Sequence, residues 1–266
     1  MFDIFTLSLY SGRDDKPKPF GDMKKAIKNV SVDCVLFGFS NNSLNVLLTE
    51  RKLEDENTGE LIVNDFTLQG HHVLEGENLD DAAKRVLKEK TGLEDIFLKQ
   101  FYVFGSADRI QNPKDQLWTK ARHPDIDAQV FSVGYYSLVD SSKVNPDRNH
   151  RFTKWFPIKD LPELGYDHLE IISKALDALS KEILNDPIAF ELLSERFTLS
   201  QLQALFEAIL GVQLDKRNFR KRVSQMKYII PLNEKRKHEK VKPARLYIFS
   251  RDVYDKTRKE KINFSF

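Results

Sequence analysis

The sequence predicts an α/β chain with two units: an α/β/α sandwich with a mixed sheet over residues 29–185, and a small helical domain with a β hairpin over residues 186–266. In the first unit, short apolar runs bounded by turn residues are interspersed with two amphipathic helical stretches. In the second, capped helical stretches precede a charged hairpin. Charge also divides the chain, because residues 211–266 hold 17 Lys and Arg against 6 Asp and Glu, whereas residues 1–210 hold 25 against 34.

Composition and length limit the class of protein. A chain of 266 residues can bury the core of one large domain or two modest ones. The single cysteine, Cys34, excludes an intrachain disulfide, and its apolar surroundings favour a packed thiol over a nucleophile. The first ten residues lack a basic leader, and no apolar run reaches membrane-spanning length. We therefore expect a cytoplasmic protein with no membrane partner, in which residues 1–28 form an N-terminal extension.

A hairpin is predicted at the start of the first unit. Val30–Phe39 has the continuous apolar run of a buried strand, and Leu44–Arg51 alternates like a strand with one buried face. The sequence Asn41-Asn42-Ser43 between them is a turn signal. A polar stretch with a second turn signal, Asn57-Thr58-Gly59, follows, and Phe66–Leu68 then leads into a charged motif.

The rest of the first unit is predicted from similar patterns. Phe97–Phe104 and Gln129–Val139 have the composition of strands, and Lys154–Phe156 begins a short one. The long polar stretch Gly105–Asp127 is predicted as a loop that is functional or disordered. Asp167 is predicted to cap a helix that runs to about Ile183.

The charged motif occupies residues 68–93, LQGHHVLEGENLDDAAKRVLKEKTGL, and is predicted to contain a helix. Asn78 caps this helix and Thr91-Gly92 ends it. Its pattern matches the box of metal-dependent pyrophosphate hydrolases, which needs Gly, a Glu seven residues later, Arg-Glu-x-x-Glu-Glu, and then Thr-Gly. The residues in register are Gly70, Glu77, Arg85, Glu89, Thr91 and Gly92.

Two carboxylate positions of the box hold Val86 and Lys90 instead. Positions 86, 89 and 90 share one helix face, where three Glu would bind Mg²⁺ and activate water. One carboxylate beside an apolar group and a cation does not attract a dication. We therefore predict no metal site, no catalytic residue and no enzyme activity. Two alternatives stay open: an accidental match on an amphipathic helix, or replacement of the lost ligands by Asp65, Glu75 or Asp108.

The second unit has the elements of a winged helix-turn-helix. Three helices are predicted, with a capping box formed by Thr198 and Gln201 at the second and an Asp215 cap at the third. Two strands flank the charged hairpin EKRKHEKVK and complete the wing. The predicted bounds are Ile188–Phe197, Thr198–Gly211 and Lys216–Lys227 for the helices, and Ile229–Leu232 and Arg245–Phe249 for the strands.

The third helix is predicted to face double-stranded DNA. Phe219, Val223 and Met226 share its packed face, because their spacing follows the helical period. The other face carries residue types that contact base edges and phosphates in the major groove: Arg217, Asn218, Arg220, Lys221, Ser224 and Gln225. The hairpin adds cations suited to phosphates or a minor groove: Lys235, Arg236, Lys237, Lys240 and Lys242. A solvated basic helix in an unrelated helical domain is the alternative, and RNA is a less natural partner.

Long segments resemble one known family. The stretches ERFTLSQLQALFEAILGVQLDKRNFRKRV and KPARLYIF, supported by WFPIKDLP and by YDH at 166–168, resemble the Nudix-related transcriptional regulators across nearly all of residues 28–250. The resemblance implies a degenerate Nudix effector domain, a winged helix, a homodimer and a palindromic operator. Members of the family sense ADP-ribose or a related nucleotide in NAD control, or a pentose in sugar-utilisation control. Overall similarity places this chain nearest the arabinose-responsive branch.

The resemblance implies a repressor of sugar utilisation that releases its operator when L-arabinose binds, without a cofactor. A sugar pocket needs dense hydrogen bonds and an apolar floor. Candidate effector contacts near the box are Asp65, Gln69, His71, His72, Glu89, Lys90, Asp108 and Arg109. His71 replaces the second box glycine, which argues against a pyrophosphate-binding loop. Three alternatives stay open: an ADP-ribose-sensing regulator of NAD metabolism, an active Nudix hydrolase of nucleoside diphosphate derivatives, and a DNA binder whose Nudix-like body only dimerises.

Overall fold

The structure is a computed structural model that describes residues 25–55, 57–94, 96–122, 129–144, 152–238 and 241–262. The side chains of residues 235–238, 241–243 and 258–262 are outside this description. Most of the predicted N-terminal extension therefore lies outside the described residues, and the first strand already begins at Ala26. No helix within these ranges is long and apolar enough to cross a membrane.

Within the described residues, seven strands form one mixed sheet in the N-terminal unit. The strands are β1 (Ala26–Ser40), β2 (Ser43–Glu54), β3 (Leu61–Thr67), β4 (Gln69–Leu74), β5 (Phe97–Phe104), β6 (Phe131–Val139) and β7 (Thr153–Pro157). Their order is β3-β2-β1-β6-β5, while β4 also pairs with β1 and β7 with β2. Strands β1 and β6 are parallel and the other pairs are antiparallel, so the prediction of a mixed sheet is confirmed.

The hairpin between β1 and β2 follows from its turn residues. Asn41 and Asn42 have φ values of 51° and 58°, a left-handed conformation that Asn tolerates better than most residues. The turn joins Ser40 directly to its partner Ser43. The predicted strands on either side are confirmed, and both extend a few residues beyond the predicted bounds.

Helices cover both faces of the sheet. In chain order they are α1 (Leu79–Thr91), α2 (Pro113–Arg122) and α3 (His168–Glu182). Because successive strand residues point to opposite faces, Cys34 of β1 packs in the cluster under α1, whereas Val35 belongs to the cluster under α3. The α/β/α sandwich predicted from the sequence is therefore confirmed.

Both ends of α1 form as their residues predict. The Asn78 side chain accepts a hydrogen bond from the Asp81 N–H at 2.8 Å, which satisfies one free donor of the first turn. At the other end, Gly92 takes φ 70° and its N–H donates to the carbonyl of Lys88.

The prediction of a loop over Gly105–Asp127 was wrong in its central part, where α2 forms. Pro113 occupies the first helical position, and the side chain of Asn112 accepts from the Lys114 N–H at 3.0 Å. The buried residues of α2 are polar, Asp115 and Thr119, so the helix has no apolar periodicity to detect. Contacts distant in sequence hold it instead.

The C-terminal unit has the predicted winged helix-turn-helix fold, but its third helix ends at Ser224 rather than Lys227, and its first and last helices also differ from the prediction. Its elements are a 3₁₀ turn (Pro187–Leu192), α4 (Leu199–Leu210), α5 (Lys216–Ser224), β8 (Ile229–His238), β9 (Val241–Phe249) and α6 (Arg251–Ile262). The predicted first helix was wrong beyond Leu192, because the backbone of Phe197 is extended and exchanges hydrogen bonds of 3.0 and 2.8 Å with Tyr247. Helix α6 was not predicted.

Local capping chemistry fixes the helix-turn-helix. Thr198 and Gln201 form the predicted capping box, and Gly211 ends α4 with φ 68°. The Asp215 side chain then accepts from the Asn218 N–H at 2.8 Å and begins α5. These contacts confirm the predicted helix starts.

The apolar core is continuous between the two units. One cluster contains Ile172 of α3 together with Leu192 and Leu202 of the C-terminal unit. The Ser180 hydroxyl of α3 also donates to the carbonyl of Ile209 in α4 at 2.9 Å. The division proposed at residues 185 and 186 therefore lies between α3 and the 3₁₀ turn, within a shared core.

Candidate functional site

The box keeps its structural contacts. Arg85 forms a bidentate pair with Glu77, with Nε donating to Oε1 at 2.8 Å and Nη2 to Oε2 at 2.9 Å. The same guanidinium donates to the carbonyl of His72 at 3.0 Å. The hydrogen bond to Glu77 raises the pKa of Arg85, so the guanidinium stays charged. The motif therefore ties α1 to β4.

The box residues do not fit a Mg²⁺ site. Val86 is fully buried in the core under α1, while Glu89 is exposed and lies 3.5 Å from Arg85. Glu77 is already neutralised by Arg85. Nowhere in the described part of the chain do three or more His, Cys, Asp or Glu lie close enough together to hold a metal ion.

Asp65, Glu75 and Asp108, the possible replacements for the lost metal ligands, do not lie together as a metal site would require. Arg51 holds both carboxylate oxygens of Asp65, at 2.6 and 2.8 Å. Asp108 is exposed and accepts a hydrogen bond from Ser106. Glu75 is exposed in the turn after β4. None of the three restores a carboxylate cluster.

A pocket of about 160 Å³ opens over β1 and β4 and is closed by α2 and the start of α3. Three of the predicted effector residues line it, namely His71, His72 and Arg109. The aromatic rings of Trp118 and Tyr166 form part of the pocket wall. Asp33 and His168 add polar groups to it. The pocket therefore combines the apolar surface and convergent polar atoms typical of a small-molecule site.

Arg109 is held between two carboxylates beside this pocket. Its Nε and Nη2 donate to the two oxygens of Asp167 at 2.5 and 2.8 Å, and Nη2 also lies 3.3 Å from Asp33. Burial lowers the pKa of Arg109, but the hydrogen bonds to and the charges of Asp167 and Asp33 together outweigh burial, so the pKa is raised. Asp167 occupies the predicted N-cap position of the helix, but its side chain makes no cap hydrogen bond because its carboxylate binds Arg109.

Asp33 lies at the centre of the polar wall. The Ser132 hydroxyl donates to its Oδ2 at 2.5 Å, which fixes the carboxylate against β6. A Cβ at position 70 would overlap its Oδ1, so only glycine fits there. The box glycine is therefore explained by close approach of a carboxylate.

His168 is buried beside Asp33. Its Nδ1 accepts the Leu68 N–H at 3.0 Å, which assigns the ring proton of neutral histidine to Nε2. Burial lowers the pKa of His168 and so favours the neutral form. His168 Nε2 lies 3.7 Å from Asp33 Oδ1, beyond direct hydrogen-bond range.

A second buried cluster supports the pocket from behind. Arg51 is bound bidentately by Asp65, and its Nη2 also donates to Asp115 of α2 at 2.6 Å. Its guanidinium carbon lies 4.7 Å from the Tyr166 ring centroid, a cation–π distance. The hydroxyls of Tyr166 and Thr119 are 3.0 Å apart. These contacts fix α2, and with it one wall of the pocket.

Five of the predicted effector residues do not line the pocket. Gln69 is buried in the sheet, where it accepts from Thr49 at 2.8 Å and donates to the Leu47 carbonyl at 3.3 Å. The other four are Asp65, Glu89, Lys90 and Asp108. Sequence reasoning missed the lining residues Asp33, Trp118, Thr119, Tyr166 and His168. The available signals were an acid inside the apolar run of β1 and the YDH segment.

The predicted DNA-contacting face of α5 is exposed. The packed face holds buried Val223, and Phe219 lies 6.1 Å from the Phe206 ring. All six predicted residues are exposed: Arg217, Asn218, Arg220, Lys221, Ser224 and Gln225. Of the hairpin cations, Lys240 lies outside the described residues, and only the backbone is described for Lys235, Arg236, Lys237 and Lys242.

Comparison with known proteins matches both units. Residues 27–175 match the NUDIX domain family and residues 189–249 match the NrtR DNA-binding winged helix domain. An ADPR responsive transcriptional repressor, NtrR, from Acinetobacter baylyi is 25% identical over 229 residues, covering 85% of this chain and 84% of the relative. These matches give no support to the arabinose-responsive branch.

Two solved structures are similar over most of the chain. The crystal structure of Shewanella oneidensis NrtR complexed with a 27mer DNA has a TM-score of 0.65 and 28% identity, covering 85% of this chain and 95% of that one. A MutT/nudix family protein from Enterococcus faecalis, with 22% identity and a TM-score of 0.59 over 88% and 90% of the two chains, supports the fold alone. The chain therefore belongs to the Nudix family and carries a C-terminal winged helix domain of the NrtR type.

Proposed function

We propose that this chain is a transcriptional repressor that binds operator DNA and is regulated by a nucleotide of the ADP-ribose type. One observation supports the proposal most strongly. The chain joins a Nudix domain that contains a pocket to a winged helix whose basic third helix is exposed, and both domains together are similar to a protein crystallised with DNA. ADP-ribose is favoured over L-arabinose because the curated relative, which covers both domains, is named as ADPR responsive.

The proposed DNA contacts come mainly from α5. Its exposed Arg217 and Arg220 can form bidentate contacts with guanine, and Asn218 with adenine. Lys221 and the hairpin cations would neutralise phosphates, which gives affinity that depends on salt. A homodimer would place two such helices on a palindromic operator, about one helical turn or a multiple of it apart.

The Nudix domain is proposed to bind the effector without hydrolysing it. Hydrolysis in this fold needs clustered carboxylates for Mg²⁺, and this chain has buried Val86 and half-buried Lys90 at two of those positions. Glu77 is bound by Arg85 and is not free to ligate. The pocket over β4 nevertheless retains polar groups for a ligand.

The test begins with a duplex selected from a random DNA library by the full-length protein. Fluorescence anisotropy would then follow release of this duplex on addition of ADP-ribose, NAD⁺ or L-arabinose. We expect release by ADP-ribose, and retention of DNA with L-arabinose. Arg220→Ala should weaken DNA binding, whereas Lys174→Ala, which removes a cation from α3 of the Nudix domain, should not.

The same samples separate the alternatives. Release by L-arabinose alone would replace the nucleotide proposal with sugar sensing. Formation of AMP and ribose 5-phosphate from ADP-ribose with Mg²⁺ would show a working hydrolase. DNA binding that no ligand alters would leave the Nudix domain with a dimerisation role.

A further inference from the structure

Two polar atoms face each other across the pocket wall. They are Asp33 Oδ1 and His168 Nε2, which are 3.7 Å apart. Both residues line the pocket, with only 7% and 4% of their surface exposed. Their other polar atoms are engaged, by Ser132 and Arg109 for Asp33 and by the N–H of Leu68 for His168. Among the described residues, neither facing atom forms a hydrogen bond.

The two atoms differ in hydrogen-bonding character. The Asp33 carboxylate accepts hydrogen bonds from Ser132 and Arg109, whereas His168 donates from Nε2 because its Nδ1 accepts from Leu68. A ligand group that bridges them must donate to one and accept from the other. A hydroxyl does both, but an ionised phosphate oxygen only accepts and would leave the buried Asp33 oxygen unmatched.

Charge around the pocket points to the same ligand chemistry. Arg109 contributes one positive charge, and Asp33 and Asp167 contribute two negative charges within 3.3 Å of it. Burial favours neutral His168. This wall is therefore negative overall and would repel a diphosphate placed against it. A neutral, hydroxyl-rich group is better suited.

Pocket size limits how much of a nucleotide can enter. Its volume of about 160 Å³ is below the roughly 300–1,000 Å³ usual for drug-sized ligands. The aromatic residues Trp118 and Tyr166 provide apolar wall on the side of α2 and α3. A single sugar ring suits this space better than a whole nucleotide.

We infer that the pocket binds the terminal ribose of the effector, with one ribose hydroxyl donating to Asp33 and accepting from His168, while the diphosphate and adenosine lie outside it. The inference rests on the proposed function, because it assumes an effector of the ADP-ribose type. It makes Asp33 and His168 the residues that distinguish ADP-ribose from ADP, which lacks this ring.

Calorimetric titration of full-length protein with ADP-ribose and with ADP tests the inference. We expect the wild type to prefer ADP-ribose by about tenfold or more, since a buried hydrogen bond to a charged group has that magnitude. Asp33→Asn should abolish the preference, because its amide oxygen would serve Ser132 and Arg109 and its NH₂ would face the His168 donor. ADP affinity should stay within about threefold.

Asp177→Asn is the matched control. It makes the same change to an exposed carboxylate of α3 that does not line the pocket, so it should retain the preference for ADP-ribose. If Asp33→Asn does not fold, as judged by circular dichroism, His168→Gln supplies the same test from the donor side.

The outcomes separate the inference from the proposed function. Equal loss of ADP and ADP-ribose affinity in a folded Asp33→Asn variant would overturn the inference, as would a wild type that binds both ligands equally. In either case a nucleotide-binding regulator would remain. A wild type that binds neither nucleotide would overturn the nucleotide proposal itself, and the inference with it.

Discussion

Removal of Asp115 should detach α2 from the sheet. The Asp115 carboxylate is 2% exposed and accepts from Arg51 Nη2 at 2.6 Å and from the Tyr166 N–H at 2.9 Å. In Asp115→Ala both buried donors lose their partner, while Arg51 keeps its bidentate pair with Asp65. Because Asp65 still neutralises the charge of Arg51, the loss of stability should be limited.

The expected loss follows from these contacts. A hydrogen bond to a charged group contributes about 1.5–3 kcal/mol, and breaking a buried ion pair costs about 3–5 kcal/mol. Because Arg51 retains one carboxylate, we expect a loss of about 3 kcal/mol in the free energy of unfolding. For a domain of this size that corresponds to a fall in Tm of roughly 6–12 °C.

Thermal unfolding and hydrogen exchange would measure the effect. Lys114→Ala is the matched control, because Lys114 precedes Asp115 on α2 and pairs with Glu163 at 3.0 Å where both side chains are exposed. Exposed pairs contribute little, so this variant should unfold like the wild type. Amide exchange in α2 should accelerate only in Asp115→Ala. Equal Tm values for the two variants would refute the assignment of a buried anchor.

Three further predictions test other parts of the chain. Lys221→Ala should weaken DNA binding and reduce the slope of log K against log salt by about 1, measured by anisotropy; an unchanged slope would mean that Lys221 contacts no phosphate. Gly70→Ala should displace the Asp33 carboxylate and lower both Tm and effector affinity, whereas normal values would show that the sheet adjusts. Because burial lowers the pKa of His168 below its ordinary 6.5, stability should be full above that pH and fall below it. In His168→Gln, the free energy of unfolding should depend less on pH below 6.5, as measured by denaturant unfolding at several pH values.

Local signals explain which elements the sequence predicts well. The β1–β2 hairpin and both ends of α1 depend on turn residues, caps and apolar patterns within a few positions. Helix α2 has no such pattern, because Asp115 and Thr119 are its buried residues and their partners are distant in sequence. The 3₁₀ turn is shorter than the predicted helix because Phe197 pairs with Tyr247, a contact that no local pattern indicates.

The pocket shows the same limit more strongly. His71 and His72 were predicted as effector contacts because they lie within the box, and Arg109 because it was expected near the box. All three line the pocket. Asp33 gains its role from Ser132, 99 positions away, and from parallel pairing of β1 with β6. Such a contact depends on strand order, which residue periodicity does not determine.

Helix α3 contacts both the pocket and the DNA-binding unit. Its first residue, His168, lines the pocket, and Ser180 near its other end donates to Ile209 in α4. Its 15 residues form a rod of about 22 Å, and the core around it is continuous with α4. A ligand shifts an equilibrium only through contacts that differ between the two states. In the proposed function, a bond to His168 therefore acts on a helix whose other end contacts α4, the helix that precedes α5.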